Sequence, residues 1–166
     1  MMRMMINSGF DFFFGRWNVH NRFLNGRLCG SADWTEFAAT LEAGPILGGA
    51  GNMDSFHANL GGKAIEGSTV RLFNPTTGLW TIYWADNVRP GAFYPPMMGK
   101  WNGDTAEFFG GDQVDGRAVR SRFRWSRADP DRPTWEQAFS AAFSDDDGAT
   151  WETNWVMTFT RREVWQ

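Results

Sequence analysis

The chain is poor in the residues that most often carry chemistry. Its 166 residues include one cysteine, Cys29, and two histidines, His20 and His57. A lone thiol excludes an internal disulfide framework and suits a reducing compartment. Cys29 has no histidine near it in sequence, so it reads as a structural thiol rather than a nucleophile. The histidines lie far apart with no cysteine or carboxylate at ligand spacing, which argues against zinc. No metal and no other cofactor is expected. No apolar run approaches the roughly 20 residues of a membrane span, and the opening MMRMMINSGF lacks the apolar core of a signal peptide. No membrane partner is expected, and a cytoplasmic location is the default. Charge of one sign is also missing: the net charge is −3, without a long like-charged run, which argues against a nucleic-acid partner. Gly-x-Ser-x-Gly and a phosphate-binding glycine loop followed by Lys-Ser are both absent. No helical periodicity extends over ~12 residues.

What the chain has is aromatic residues and turn signals. Aromatics make up 16% of it, with 10 Trp and 15 Phe, more than a core needs, so some rings are expected to face a cavity. Glycine and proline punctuate short runs rich in Trp, Phe, Val and Thr, the pattern of an antiparallel barrel or sandwich. Ten strands are expected: Trp17–Asn25, Ser31–Glu42, Asn52–Leu60, Ser68–Phe73, Leu79–Ala85, Pro96–Trp101, Thr105–Phe109, Arg117–Arg127, Thr134–Ala142 and Thr150–Arg162. Asn74–Gly78 reads as a tight turn and Gly9–Gly15 as one short helical turn. The length suits one domain, with residues 1–9 as a loose segment and 10–166 as the barrel.

Alternation is clearest near the end. Trp151, Thr153, Trp155, Met157 and Phe159 share one face of the last strand, and Trp135, Gln137 and Phe139 one face of the strand before. Val119, Phe123 and Trp125 oppose Arg120, Arg122 and Arg124. Neighbouring strands with one aromatic and one polar face are explained by closure, which removes free edges. Ser144–Trp151 (SDDDGATW) fits the Asp-box of sialidases, but one copy without a repeat reads as a hairpin turn and supports no glycosidase.

Phe10–Asn21 reads FDFFFGRWNVHN. Gly15-Arg16-Trp17, opening the first strand after an aromatic turn, resembles the start of calycin barrels: the lipocalins, fatty-acid-binding proteins and nitrobindin-like haem proteins. In that superfamily the Trp plugs one barrel end. With Arg71–Trp84, Phe123–Trp125, Trp135–Ser140 and Gly148–Arg161, the chain is similar from about Phe10 to Arg161 to a bacterial domain family of unknown function with a lipocalin-like fold. The resemblance implies a barrel of about ten strands and transfers no catalytic residue. Barrels of this kind can hold one small ligand. Nitrobindin-like proteins hold haem through a histidine near the C-terminus; none follows His57 here, so haem is a minor expectation resting on His20 as substitute ligand.

Several side chains are candidates for a lumen site. His20 and Arg22 share a face of the first strand; if internal, His20 could bind, act as a base or meet a metal. Arg120, Arg122 and Arg124 would form an anion-binding patch if inward and a solvated face if outward, paired there with Glu136 or Glu152; those two carboxylates would suit acid–base work if they shared the cavity. Trp34, Phe37, Trp80, Tyr83, Trp84, Trp125, Trp135 and Trp155 sit on strands able to line one lumen. Gly48-Gly49-Ala50-Gly51 and Asn87–Pro96 read as loops at the mouth forming a lid. The leading expectation is binding of a small, mainly apolar ligand inside the barrel. The alternative is a small-molecule enzyme, isomerase- or cyclase-like, using His20 with a carboxylate or arginine. A third reading is a homodimer joined through exposed aromatics.

Overall fold

The structure is a computed structural model and describes residues 9–141 and 150–162. Ten antiparallel strands run alternately up and down: β1 (Gly15–Leu24), β2 (Trp34–Ile46), β3 (Gly51–Leu60), β4 (Lys63–Asn74), β5 (Leu79–Asp86), β6 (Met97–Asn102), β7 (Thr105–Val114), β8 (Arg117–Ser126), β9 (Thr134–Ala141) and β10 (Glu152–Arg161). Each pairs with its sequence neighbours, and β1 also pairs with β10, which closes the barrel. Trp17 faces Leu41 on β2 and Arg161 on β10. This is the expected all-β, lipocalin-like barrel. Among the described residues no helix is long and apolar enough to cross a membrane.

Turn chemistry fixes the registers. Gly61 and Gly62 join β3 to β4 with φ of 58° and 83°, the doubly positive pair that a two-residue hairpin turn requires. The turn after β4 is tied by Asn74, whose Oδ1 accepts from the N–H groups of Thr76 and Thr77, while Gly78 N donates to Asn74 O at 2.8 Å.

One barrel end is closed by aromatic rings. A 3-10 turn at Asp11–Phe13 leads into β1 through Gly15, whose φ of +120° few other residues adopt. Trp17 then enters the lumen fully buried, and its Nε1 donates to Phe13 O at 2.8 Å. Phe13 stacks on Trp17, and Phe10 meets Trp80, Trp101 and Trp125 edge-on. Arg161 covers the plug from outside, 4.2 Å from the Trp17 ring, and donates to the carbonyls of Phe12 and Phe14.

The structure corrects two sequence expectations here. Trp151 does not share the lumen face with Trp155: the register shifts between Thr153 and Trp155. That β-bulge resets the alternation, so Trp151 packs outside against Phe109 and Arg122 while Trp155 lines the lumen. The Gly48–Gly51 loop joins β2 to β3 at the closed end, beside the start of β1, because strands alternate in direction. It therefore cannot share a lid with Asn87–Pro96, which joins β5 to β6 at the open end. The Asp-box turn, residues 144–149, and residues 1–8 of the expected loose segment lie outside the described residues.

Trp17 fills the plug, whereas Trp34 lies on the outer wall, partly exposed. Trp17→Ala should cost about 3–5 kcal/mol through lost burial and a cavity, and Trp34→Ala less than about 1 kcal/mol. Urea unfolding followed by far-UV circular dichroism reads both.

Candidate functional site

Inward side chains divide the lumen into two spaces. The upper one, open at the mouth, has a volume of about 600 Å³, and the lower one about 70 Å³. Phe56, Ile82, Trp84, Phe123, Gln137 and Trp155 border both, so they form the partition. The lower space is too small for an organic guest. The upper lies within the range of ligand pockets.

The walls of the upper chamber are apolar and held in place. Trp84 Nε1 donates to Asp86 Oδ2 at 2.9 Å, and Trp155 Nε1 to Asn21 Oδ1 at 3.0 Å. Asn21 in turn donates from Nδ2 to Phe37 O. Each indole thus satisfies its polar edge on the wall and leaves its apolar surface for the chamber. The Trp84 ring lies against Gly67: a Cβ there would stand 2.0 Å from the indole, so a side chain at 67 displaces the ring. Gln137 Nε2 donates to Asn154 Oδ1 at 2.8 Å.

Below the partition lies a buried ion pair. Arg71 Nη2 donates to Asp54 Oδ2 at 2.6 Å and Nη1 to Asn52 Oδ1 at 2.9 Å. The guanidinium stands 5.0, 5.4 and 5.6 Å from the rings of Phe10, Phe13 and Trp125. Arg71 is 3% exposed and Asp54 1%. The pair tethers β3 to β4 and presents polar groups to the lower space only.

The mouth carries Arg27, Lys63, Asp86, Arg89, Tyr94 and Asp112. Arg89 stands 4.1 Å from the Tyr94 ring and 3.6 Å from Asp112 Oδ1, which links the Asn87–Pro96 loop to β7. Burial is the main cause raising the Tyr94 hydroxyl pKa, partly offset by Arg89.

The expected site residues separate into inner and outer sets. Phe37, Trp84 and Trp155 line the upper chamber, and Trp125 and Trp135 the lower space. Trp80 is inside but buried in the plug against Phe10. The structure places the others, His20, Arg22, Trp34, Tyr83, Arg122, Arg124 and Glu136, outside the lumen, which for Arg122, Arg124 and Glu136 is the outward of the two readings the sequence left open. His20 is 55% exposed, with Nε2 3.5 Å from Glu36; Arg22 stacks on Trp34 beside the same Glu36. Tyr83 packs outside on Phe93. Arg124 lies outside between Glu107 and Glu136 at 3.3 and 3.7 Å. Arg122 is outward too, covered by Trp151 at 4.6 Å, and burial, then Arg124, lowers its pKa. The reason is parity: on β1 the inward series is Trp17, Val19 and Asn21, which sends His20 and Arg22 out. His57 also lies outside, 3.5 Å from Glu66, so neither histidine of the chain offers the chamber an axial ligand.

Sequence reasoning passed over Asp54, Asn52 and Arg71, and the mouth cluster. The first group was within reach: a two-residue turn at Gly61-Gly62 pairs Asn52 with Arg71 and Asp54 with Thr69, all on one face. The mouth residues come from loops and strand ends without a period to follow.

No family model matches the sequence. No curated protein matches it either. Among solved structures, the chain is similar to the S-type phycobiliprotein lyase CPES from Guillardia theta, at 13% identity, over 93% of this chain and 91% of that one, with a TM-score of 0.59. At that identity the likeness carries the barrel fold alone.

Asp54→Ala should destabilise the barrel by about 3–5 kcal/mol, because it strands a buried guanidinium, while Asp54→Leu combined with Arg71→Met should recover most of that. Thermal or urea unfolding of the two variants reads the difference.

Proposed function

We propose that the protein binds one small, mainly apolar molecule non-covalently in the upper chamber. The observation that carries this reading is the chamber itself: about 600 Å³, open at one end and walled by Phe23, Phe37, Trp84, Phe123 and Trp155. Apolar surface removed from water supplies the affinity. The indole edges are already hydrogen-bonded, so a guest meets walls that need no rearrangement to receive it. The Asn87–Pro96 loop, tied across the mouth by Arg89 and Asp112, serves as a partial cover. A catalytic reading built on His20 loses its geometry, since that imidazole lies on the outer wall.

Trp84 and Trp155 make binding visible. Tryptophan fluorescence should change saturably, at one site per chain, with aliphatic and aromatic ligands of drug-like size or smaller. Because the neighbour's name concerns phycobiliproteins, a bilin belongs in the same panel. Ile65 lines the chamber wall; Ile65→Trp should fill part of the space and weaken binding at least about tenfold. Trp34→Ala, on the outer wall, should leave it unchanged. No saturable change with any ligand, or full affinity in the filled variant, would overturn the reading.

A further inference from the structure

The charges at the mouth are not equivalent. Each carboxylate there is already engaged. Asp86 accepts from the Trp84 indole and from the N–H groups of Val88 and Arg89, at 2.9, 3.0 and 3.0 Å. Asp112 faces Arg89 at 3.6 Å. Glu152, just behind the rim, accepts from Leu28 N at 2.6 Å. Of the three arginines bordering the lumen spaces, Arg71 is held by Asp54 and Arg89 by Asp112. Arg27 lines the upper chamber and, among the described residues, makes no hydrogen bond or ion pair.

Arg27 is nevertheless well placed. Its guanidinium lies over the rings of Phe23 and Phe139, at 4.6 and 5.1 Å. The bond from Leu28 N to Glu152 fixes the adjacent backbone of the β1–β2 loop, and Asn25 N donates to Asp33 O at 2.8 Å across its base. Burial is the main cause lowering its pKa, opposed by the charges of Asp112, Tyr94 and Glu152. The group stays protonated at neutral pH. A desolvated guanidinium stacked on rings, with donors unused, is an incomplete anion site. Lys63 adds a second cation on the same rim with no ion pair among the described residues.

We infer that the ligand of the upper chamber is an amphiphile carrying a carboxylate, whose head pairs with Arg27 at the mouth while its apolar body lies along Trp84 and Trp155. This inference rests on the ligand-binding reading and adds the ligand's charge and its orientation, head outward.

The test is a comparison of matched acids and alcohols: dodecanoate with dodecan-1-ol, and 2-naphthoate with 2-naphthalenemethanol, titrated by tryptophan fluorescence against wild type, Arg27→Gln and Arg27→Lys. In wild type at least one acid should bind about tenfold or more tightly than its alcohol, the scale of one charge-assisted hydrogen-bonded pair. Arg27→Gln should reduce that ratio to about one, chiefly by weakening the acids, and Arg27→Lys should keep part of it. Saturable alcohol binding in the variants is the check that the chamber is intact. Acid and alcohol binding equally to wild type, or a preference that survives Arg27→Gln, overturns the carboxylate inference and leaves the chamber reading standing. Failure of all four compounds to bind overturns the carboxylate inference, and the chamber reading falls with it only if the wider panel, bilin included, also gives no saturable change.

Discussion

Pairing of the first strand with the last is the constraint on which the rest depends. β1 holds β2 on one side and β10 on the other, so each strand has two neighbours and side chains can only sort inward or outward. One residue then sets the phase. Trp17 must enter the lumen to meet Phe13 and close the end, and Val19, Asn21 and Phe23 follow it inward. Cross-strand register carries that choice around the wall: Phe23 lies opposite Trp155, Trp155 opposite Gln137, and Gln137 opposite Phe123. This row supplies much of the partition between the two spaces.

Closure also explains why the interior tolerates so much nitrogen and oxygen. A barrel this aromatic has to place several indole N–H groups, and each one left unpaired inside would cost about 1–3 kcal/mol. Trp17, Trp84 and Trp155 are paired with Phe13 O, Asp86 and Asn21, whereas the Trp101 Nε1 is buried without a partner among the described residues. The deep Arg71–Asp54–Asn52 group follows the same rule for charge: two hydrogen bonds and three ring faces surround one guanidinium. Satisfied polar edges set into the wall are what leave the upper chamber with an apolar surface.

Much of the architecture was legible because its signals are local. Strand and turn chemistry located ten strands, while the plug was implied only by the resemblance of Gly15-Arg16-Trp17 to the start of calycin barrels. The site was less legible, for two physical reasons. Parity was not carried through: once Trp17 points inward, His20 and Arg22 point outward, and Trp34 with Phe37, or Tyr83 with Trp84, cannot share a face at odd spacing. The bulge before Trp155 then breaks parity in a way that no count along β10 reveals. The chamber rim is harder still, because Arg27, Asp112 and the Asn87–Pro96 loop meet only after closure brings their strand ends to one mouth.

The arginines show how position decides the fate of one residue type. Arg124 lies in water between two glutamates, where such pairs contribute about 0–1 kcal/mol and mainly keep the wall polar. Arg161 spends its donors on two backbone carbonyls and Asp131, closing the plug from outside. Arg71 is buried and paired with Asp54 on β3 through Nη2, so its charge is already countered, although its Nε has no partner among the described residues. Arg27 occupies the intermediate case: enough burial to strengthen any electrostatic contact, ring faces to hold the plane, and loop backbone pinned by Glu152. Deeper, the same group would need a permanent partner to be tolerated. Farther out, water would screen it. The mouth of a closed, aromatic barrel is where a cation can stay unpaired at modest cost and still discriminate by charge.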